Sequence, residues 1–286
     1  MKFTKPGIYF NMDNDTYHAD PSISNSGMGQ LLKSPLHYWH ASPFNPERVS
    51  LDSLALRQGR VMHTLLLEPE KFNEEWEIKE GVNSTKKVGM IGEGDFKKLE
   101  KSVNAVRETE LLSQLFKNGY PEVSIFWTDE ETDVPCRIRA DYLTANFVSD
   151  LKSTADISNY KIGYAVCDYG YDRQAAFYME GIRQIKRLLQ NGVAVIEGKV
   201  DDAWLDRLIA SENNMFIYVF QEKSPPFVTR AMQVADDVID HGALKFREAL
   251  KLYKDNLSTH GTNKWPSPYK SVELMQLDDL PQKIFY

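Results

Sequence analysis

Residues 137–152 read RIRADYLTANFVSDLK, two apolar runs joined by the small polar turn Thr144–Asn146. This pattern predicts a β-hairpin. If Ala145 and Asn146 are the two corner residues of the turn, residues whose numbers sum to 291 face each other across the hairpin. Asp141 then lies opposite Asp150. Because side chains alternate along a strand, Lys152 points to the same face as Asp150. The hairpin is therefore expected to present Asp141, Asp150 and Lys152 together.

Two carboxylates on one face of a hairpin imply a cation between them. Unit charges about 5 Å apart repel by roughly 3 kcal/mol at an effective dielectric constant near 20. A divalent ion held by carboxylate oxygens would remove this repulsion, and Lys152 could position a water and stabilise charge on a phosphate. The alternative is a surface hairpin with solvated acids and a lysine paired to one of them. The same register also sets Arg139 opposite Lys152, so a bulge or a slipped register is a further alternative.

The pattern of Asp141 followed by Asp150-Leu151-Lys152 resembles the core signature of the PD-(D/E)XK nuclease superfamily. Further stretches are similar to one branch of it, the RecE-type (exonuclease VIII) nuclease domains of phage and prophage recombination systems. They follow the family's order: PGIY at 6–9 with DTYHA at 15–19, GRVMHTLLLEP at 59–69, EVSIFW at 122–127, DLKSTAD at 150–156 and QAAFY at 174–178. Each stretch is weak alone, and together they are specific.

The resemblance implies an α/β, restriction-endonuclease-like fold, with a central mixed β-sheet flanked by helices near residues 53–68 and 172–190. We expect a single nuclease domain over residues 1–286. Its parts are an N-terminal helical and loop region to about 118, a catalytic core over about 119–232, and a C-terminal helix and tail over about 233–286. In exonuclease VIII the corresponding domain ends a much longer chain, whereas here it would stand nearly alone.

His63 lies on a predicted helix that begins near Asp52 or Ser53 and ends before Pro69. A lone helical histidine is ordinarily a core or surface residue. The resemblance instead implies that His63 lies beside the metal. Magnesium prefers oxygen ligands and imidazole suits transition metals, so Mn²⁺ would be a competent substitute for Mg²⁺.

The resemblance implies three more contributors to the site. Glu122 begins an alternating strand that runs to Thr128, where superfamily members often supply a further acid; an exposed strand-end acid is the alternative. Gln174 and Tyr178 match a Gln-x-x-x-Tyr motif that lines the site and orients the DNA strand, although backbone partners in the sheet would also satisfy them. The backbone carbonyl of Leu151 is the last expected metal ligand.

Several other segments admit both a structural and a functional explanation. Ser24 or Ser26 is expected to cap a short helix over 27–33, rather than to touch a phosphate. His37 and His40 are expected to pack, because no carboxylate or cysteine follows them at ligand spacing. Three basic residues of the helix at 172–190 could extend a phosphate track, though solvated helix charges are commoner; they are Arg183, Lys186 and Arg187.

The composition limits the class of protein. The 286 residues carry a net charge of -7 and only two cysteines, Cys136 and Cys167, so neither a disulfide framework nor a zinc site is expected. No membrane span or signal peptide is visible, which indicates a soluble, cytoplasmic protein. This net negative charge argues against nonspecific electrostatic binding of nucleic acid, unless basic residues line one channel.

The expected function is Mg²⁺-dependent hydrolysis of DNA phosphodiesters. The resemblance implies a 5′ to 3′ exonuclease on linear double-stranded DNA that leaves a 3′ single strand for recombination. It also implies a ring-shaped homo-oligomer, such as a tetramer, that threads its substrate, and a single-strand annealing protein as partner. Another nuclease of the superfamily, either an endonuclease or a single-strand exonuclease, is one alternative. A non-catalytic DNA-binding recombination scaffold is the other.

Overall fold

A seven-stranded mixed β-sheet carries the predicted hairpin. The computed structural model describes residues 2–49, 52–83, 89–212, 214–272 and 274–276. The strands are β1 (Gly7–Tyr9), β2 (Glu77–Lys79), β3 (Met90–Gly92), β4 (Gly119–Thr128), β5 (Pro135–Thr144), β6 (Phe147–Thr154), β7 (Val195–Glu197), β8 (Met215–Glu222) and β9 (Thr229–Gln233). The order across the large sheet is β7-β1-β4-β5-β6-β8-β9, and β2 and β3 form a separate pair. The hairpin β5–β6 is therefore central, as predicted.

The helices agree with the main predicted segments. They are α1 (Asn14–Ala19), α2 (Asn25–Lys33), α3 (Pro35–Ala41), α4 (Leu54–Leu67), α5 (Phe72–Glu75), α6 (Glu93–Glu108), α7 (Glu110–Gln114), α8 (Asn159–Tyr169), α9 (Tyr171–Gln190), α10 (Asp202–Ala210) and α11 (Asp236–His260). Ser24 caps α2 by accepting a hydrogen bond from the backbone N–H of Gly27, and Ser53 caps α4 in the same way through Leu56. None of the described helices is long and apolar enough to cross a membrane.

The predicted register of the hairpin is confirmed where the two strands pair. Tyr142 faces Ser149 and Leu143 faces Val148, and the ladder ends there. Beyond this point the Leu151 N–H donates to the side chain of Asp141, at 2.8 Å from Oδ2, instead of to a backbone carbonyl of β5. The strands thus separate before Arg139 and Lys152 would meet, which removes the expected like-charge pair without any slip in register.

The two faces of the sheet bury separate apolar clusters. Leu151 and Val219 pack with Val61 of α4 and with α6, whereas Val148 and Phe177 of α9 belong to the larger cluster that also includes α2 and α11. Because neighbouring strand residues point to opposite faces, α4 and α9 cover opposite sides of β6. The gap at the end of the hairpin ladder is therefore reached by side chains from both layers.

Candidate metal centre and active site

Three side chains meet at the gap where β5 and β6 separate. One ligand atom each from His63, Glu122 and Asp141 lies within 4.8 Å of the others. Nε2 of His63 is 3.6 Å from Oδ2 of Asp141, and Nδ1 of His63 is 3.7 Å from Oε1 of Glu122. One imidazole and two carboxylates at these separations fit a single divalent ion. The structure thus brings together three of the predicted metal ligands.

His63 reaches this cluster from α4. Its neighbours Val61 and Met62 are fully buried and hold the helix against the sheet. Nε2 of His63 lies 3.1 Å from the backbone oxygen of Leu151 and donates to it, because a carbonyl only accepts. The Leu151 carbonyl, also a predicted ligand, therefore lies at the cluster and accepts a hydrogen bond from the imidazole.

Glu122 enters the cluster through an unusual backbone conformation. Its φ is +48°, in the left-handed region that residues other than glycine seldom adopt. The pairing of β4 with β5 passes from Pro121–Tyr142 to Val123–Ala140 and omits Glu122. Backbone strain of this kind tends to concentrate at functional positions.

Asp150 and Lys152 form the second half of the site. Nζ of Lys152 lies 2.5 Å from Oδ1 of Asp150, and Nε2 of Gln174 donates to Oδ2 of the same carboxylate at 2.6 Å. Asp150 is only 1% exposed. Each of its oxygens is therefore held by one of the residues that the Asp-x-Lys and Gln-x-x-x-Tyr patterns singled out.

Tyr178 lies close enough to the carboxylates to respond to their charge. Burial raises the pKa of its hydroxyl well above the ordinary value, and negative charge from Tyr17, Asp150 and Asp141 adds to the effect. Its ring packs edge-on against Phe216, with centroids 5.8 Å apart. The hydroxyl of Tyr178 therefore stays protonated near the charged carboxylates.

Two further aromatic residues belong to the site and escaped the sequence analysis. Nζ of Lys152 lies 4.9 Å from the ring centroid of Tyr171 and 5.6 Å from that of Tyr218. The Tyr218 hydroxyl donates to the backbone oxygen of Tyr171 at 2.7 Å. Tyr218 stands beside Asp150 through the parallel pairing of β6 and β8. Parallel pairing joins strands that are distant in sequence, and no spacing rule predicts its register.

Burial and mutual repulsion make the carboxylates of the cluster hold protons more tightly than ordinary acids. Burial raises the pKa of Asp150 to about 6, with help from the charge of Asp141. Burial also raises the pKa of Asp141, and the neighbouring Glu122 acts in the same direction. Burial alone would lower the pKa of His63, but Asp141 and Glu122 raise it to about 9. Without an ion, an imidazolium and the Lys152 ammonium compensate the carboxylates, and ligation of an ion requires the neutral imidazole.

The residues outside this cluster have structural partners. Nδ1 of His37 lies 2.7 Å from the hydroxyl of Ser34, the N-cap of α3. His37 and His40 are both exposed, so the prediction that they pack against the core is wrong. The three basic residues of α9 are all engaged: Arg183 with Glu180, Lys186 with Asn214, and Arg187 with Glu130. These contacts favour the structural explanation over a phosphate track.

The buried Arg139 contacts the strand that carries Glu122, a role that the sequence analysis did not assign to it. Nε of Arg139 donates to the Ser124 hydroxyl at 2.9 Å, and its Nη1 donates to Oδ1 of Asn14 at 2.6 Å. Its guanidinium carbon lies 4.2 Å from the ring centroid of Tyr17. Ser124 is two residues from Glu122 on β4, so this contact fixes the strand that carries the acid.

A central hairpin with Asp followed by Asp-x-Lys, in a mixed sheet between helical layers, defines the PD-(D/E)XK type of fold and site. Residues 24–197 match the family described as the PDDEXK-like domain of unknown function, DUF3799, and the chain belongs to that family. A search of curated proteins finds no significant match.

Comparison with solved structures supports the same fold. A crystal structure from Eubacterium rectale, described as a "putative exonuclease", is similar to this chain with a TM-score of 0.57 and 18% sequence identity. The similarity covers 86% of this chain and 85% of the other. At this level of identity the likeness shows the fold, which confirms the predicted mixed α/β architecture.

Proposed function

We propose that this protein is a divalent-metal-dependent DNA nuclease. The observation that carries the proposal is the convergence of His63, Glu122 and Asp141 within 4.8 Å, at the point where the hairpin presents Asp150 and Lys152. A purely structural hairpin has no need to bury Asp150 beside a second carboxylate. Membership of a PDDEXK-like family agrees with the proposal.

The proposal gives each residue of the site a role. His63, Glu122, Asp141 and Asp150 hold the ion, with the Leu151 carbonyl as a further oxygen donor. When bound, a divalent ion lowers the pKa of a water and neutralises charge on the scissile phosphate. The Lys152 ammonium orients the attacking water and stabilises the charge that develops on the phosphate. We take Mg²⁺ as the native ion, with Mn²⁺ as a substitute because one ligand is an imidazole.

Gln174 and Tyr178 have positioning roles in this proposal. Gln174 holds one oxygen of Asp150 through its amide, which leaves that carboxylate in one orientation. The protonated hydroxyl of Tyr178 can donate to the DNA strand. Both residues lie on α9, so the helix places them as a unit.

More specifically, we propose that the nuclease is an exodeoxyribonuclease that degrades linear double-stranded DNA from 5′ to 3′ in the cytoplasm. The RecE-like stretches support it, and so does the name of the E. rectale protein. We also propose a ring-shaped homo-oligomer, such as a tetramer, which would explain how a chain of net charge -7 stays on DNA. A single-strand annealing protein would receive the 3′ strand that such an enzyme leaves.

The test is digestion of linear duplex DNA labelled at the 5′ or the 3′ end, with Mg²⁺ or EDTA, beside a closed circle. Mg²⁺-dependent release of the 5′ label, with the circle intact, is the expected result. Cleavage of the circle would replace the exonuclease assignment by an endonuclease. Binding of DNA without any cleavage in Mg²⁺ or Mn²⁺ would overturn the nuclease proposal in favour of a scaffold.

A further inference from the structure

A short series of aromatic rings leads from Lys152 to the protein surface. The ring of Tyr171, next to Nζ of Lys152, has its centroid 5.7 Å from that of Tyr169. Tyr169 is 67% exposed. An extended aromatic surface thus begins at the proposed active site and ends in solvent.

The backbone explains why Tyr169 is held outward. Gly170, with φ +65°, ends α8 and begins α9 in the left-handed conformation that glycine adopts at little cost. Tyr169 and Tyr171 flank this corner. Tyr171 packs on the ring of Tyr218 with centroids 5.2 Å apart, which accounts for its position. The outer ring of Tyr169 has no comparable burial.

We propose that Tyr169 stacks against a nucleobase of the strand being cut, beside the scissile phosphate. The inference rests on the nuclease function proposed above and adds a preference in the substrate. Inside a duplex both faces of a base are already stacked, so Tyr169 reaches a base face only when that nucleotide is unpaired or terminal. The site therefore prefers a strand whose bases have separated from the complement before hydrolysis.

The charges at the corner favour stacking over a contact with phosphate. Asp168 precedes Tyr169 and is exposed. The Arg173 guanidinium beside Gly170 is instead buried and donates to Oδ1 of Asn25, so the exposed charge next to Tyr169 is negative. Stacking on an aromatic ring depends little on base identity, because every base has a π-face. The contact would therefore act on every nucleotide of a strand as it passes.

The first experiment measures stacking without hydrolysis. The full-length protein is titrated, with Ca²⁺ in place of Mg²⁺, into a DNA hairpin that carries 2-aminopurine in a short unpaired extension. Wild type and Tyr169→Phe should quench the fluorescence, and Tyr169→Leu should not. Tyr160→Leu is the matched control, because Tyr160 is 64% exposed on the same helix but nine positions away; it should quench as wild type does.

The second experiment measures cleavage in Mg²⁺. Tyr169→Leu should lower kcat/KM on the extended hairpin by about tenfold, with Tyr169→Phe and Tyr160→Leu close to wild type. An abasic nucleotide at the contact position should slow wild type by a similar factor and abolish the difference from Tyr169→Leu. A loss in Tyr169→Leu that persists in full on the abasic substrate would overturn the proposal, because Tyr169 would then act through the fold.

The quenching result is independent of the nuclease proposal. If wild type cleaves no DNA, the nuclease proposal fails, but quenching by wild type, Tyr169→Phe and Tyr160→Leu, without quenching by Tyr169→Leu, would still support the stacking contact. Equal quenching by wild type and Tyr169→Leu would overturn the stacking contact even in an active nuclease.

Discussion

Lys152 is held between one carboxylate and two aromatic rings, which fixes its ammonium group beside the candidate metal centre. We predict that Lys152→Ala lowers the rate of DNA cleavage by roughly 10²- to 10⁴-fold, the range typical for loss of a group that assists proton transfer. Lys161→Ala is the matched control, since Lys161 is an exposed lysine on α8. Initial rates on linear duplex DNA provide the measurement, and thermal unfolding shows that both variants fold.

Asp150→Ala should also abolish cleavage while the protein remains folded. Its carboxylate contacts both Lys152 and Gln174, so its removal would release both partners and, in the proposed mechanism, take away a ligand of the ion. Wild-type activity in either Asp150→Ala or Lys152→Ala would contradict the assignment of the site.

Asp172 gives a pH-dependent prediction away from the metal cluster. Burial acts to raise the pKa of its carboxyl, but the hydrogen bond from Lys245 and that from the Arg173 N–H hold it below the ordinary value. A lowered pKa in the folded state stabilises the protein above the unfolded pKa of about 3.9, and the contribution is lost as the pH falls through the folded value.

Asp172→Asn should therefore lower the melting temperature at neutral pH. The difference from wild type should stay constant down to about pH 5, begin to shrink near the unfolded pKa of about 3.9, and vanish only as the pH falls through the lower folded value. Thermal unfolding across this range is the measurement. A difference that grows on acidification would have the wrong sign for the carboxylate–ammonium contact.

At the level of single residues, the sequence predicts the parts of the site that are close in the chain. Asp141, Asp150 and Lys152 follow from one turn and the alternation of side chains, and the family resemblance adds His63. Tyr218 could not be found this way, because its place beside Asp150 depends on a parallel strand that begins some sixty residues later. The conformation of Glu122 is equally invisible, since nothing local requires a glutamate with positive φ.

Helix α11 crosses α9 at a glycine. A Cβ at Gly242 would lie 2.1 Å from the backbone oxygen of Asp172, too close for any side chain unless the helices move apart. We predict that Gly242→Ala destabilises the protein by about 1–3 kcal/mol or more, the usual cost of overpacking. The midpoint of urea unfolding is the measurement.

Gly163 is the matched control for this prediction. It lies within α8, and a Cβ there would meet no heavy atom within 4 Å. Gly163→Ala should stabilise the protein by about 0.5–1 kcal/mol, because alanine loses less backbone entropy in a helix. Equal effects of the two substitutions would contradict the close helix crossing.

The elements predicted best are those with long and regular patterns. The helix predicted near 172–190 agrees closely with α9, the capping serines locate the starts of α2 and α4, and the hairpin follows from its turn. The edge order of the sheet was not predicted, because β1 and β7 have only three residues each. In such short strands the alternation of buried and exposed residues cannot be recognised from the sequence. β1 joins the sheet through pairing with β4 and β7.

Metal binding should be visible in the stability of the whole molecule. An ion that binds only the folded state stabilises it by about 2.7 kcal/mol at one hundred times its Kd. We predict that Mn²⁺ or Mg²⁺ raises the melting temperature of wild type and that EDTA reverses the change. Asp141→Asn should show little response, whereas Asp133→Asn, an exposed acid of the β4–β5 turn, should respond as wild type does. An equal response in all three would place the ion elsewhere.

The hydrogen bond from the Leu151 N–H to Asp141 makes a backbone amide part of the site. Movement of the Asp141 carboxylate toward an ion, or toward a protonated neighbour, must change the strength of this hydrogen bond. The Leu151 amide is thus a natural spectroscopic probe: its NMR shift and its rate of deuterium exchange would follow occupancy of the centre from within the sheet, with no label attached to either DNA or protein.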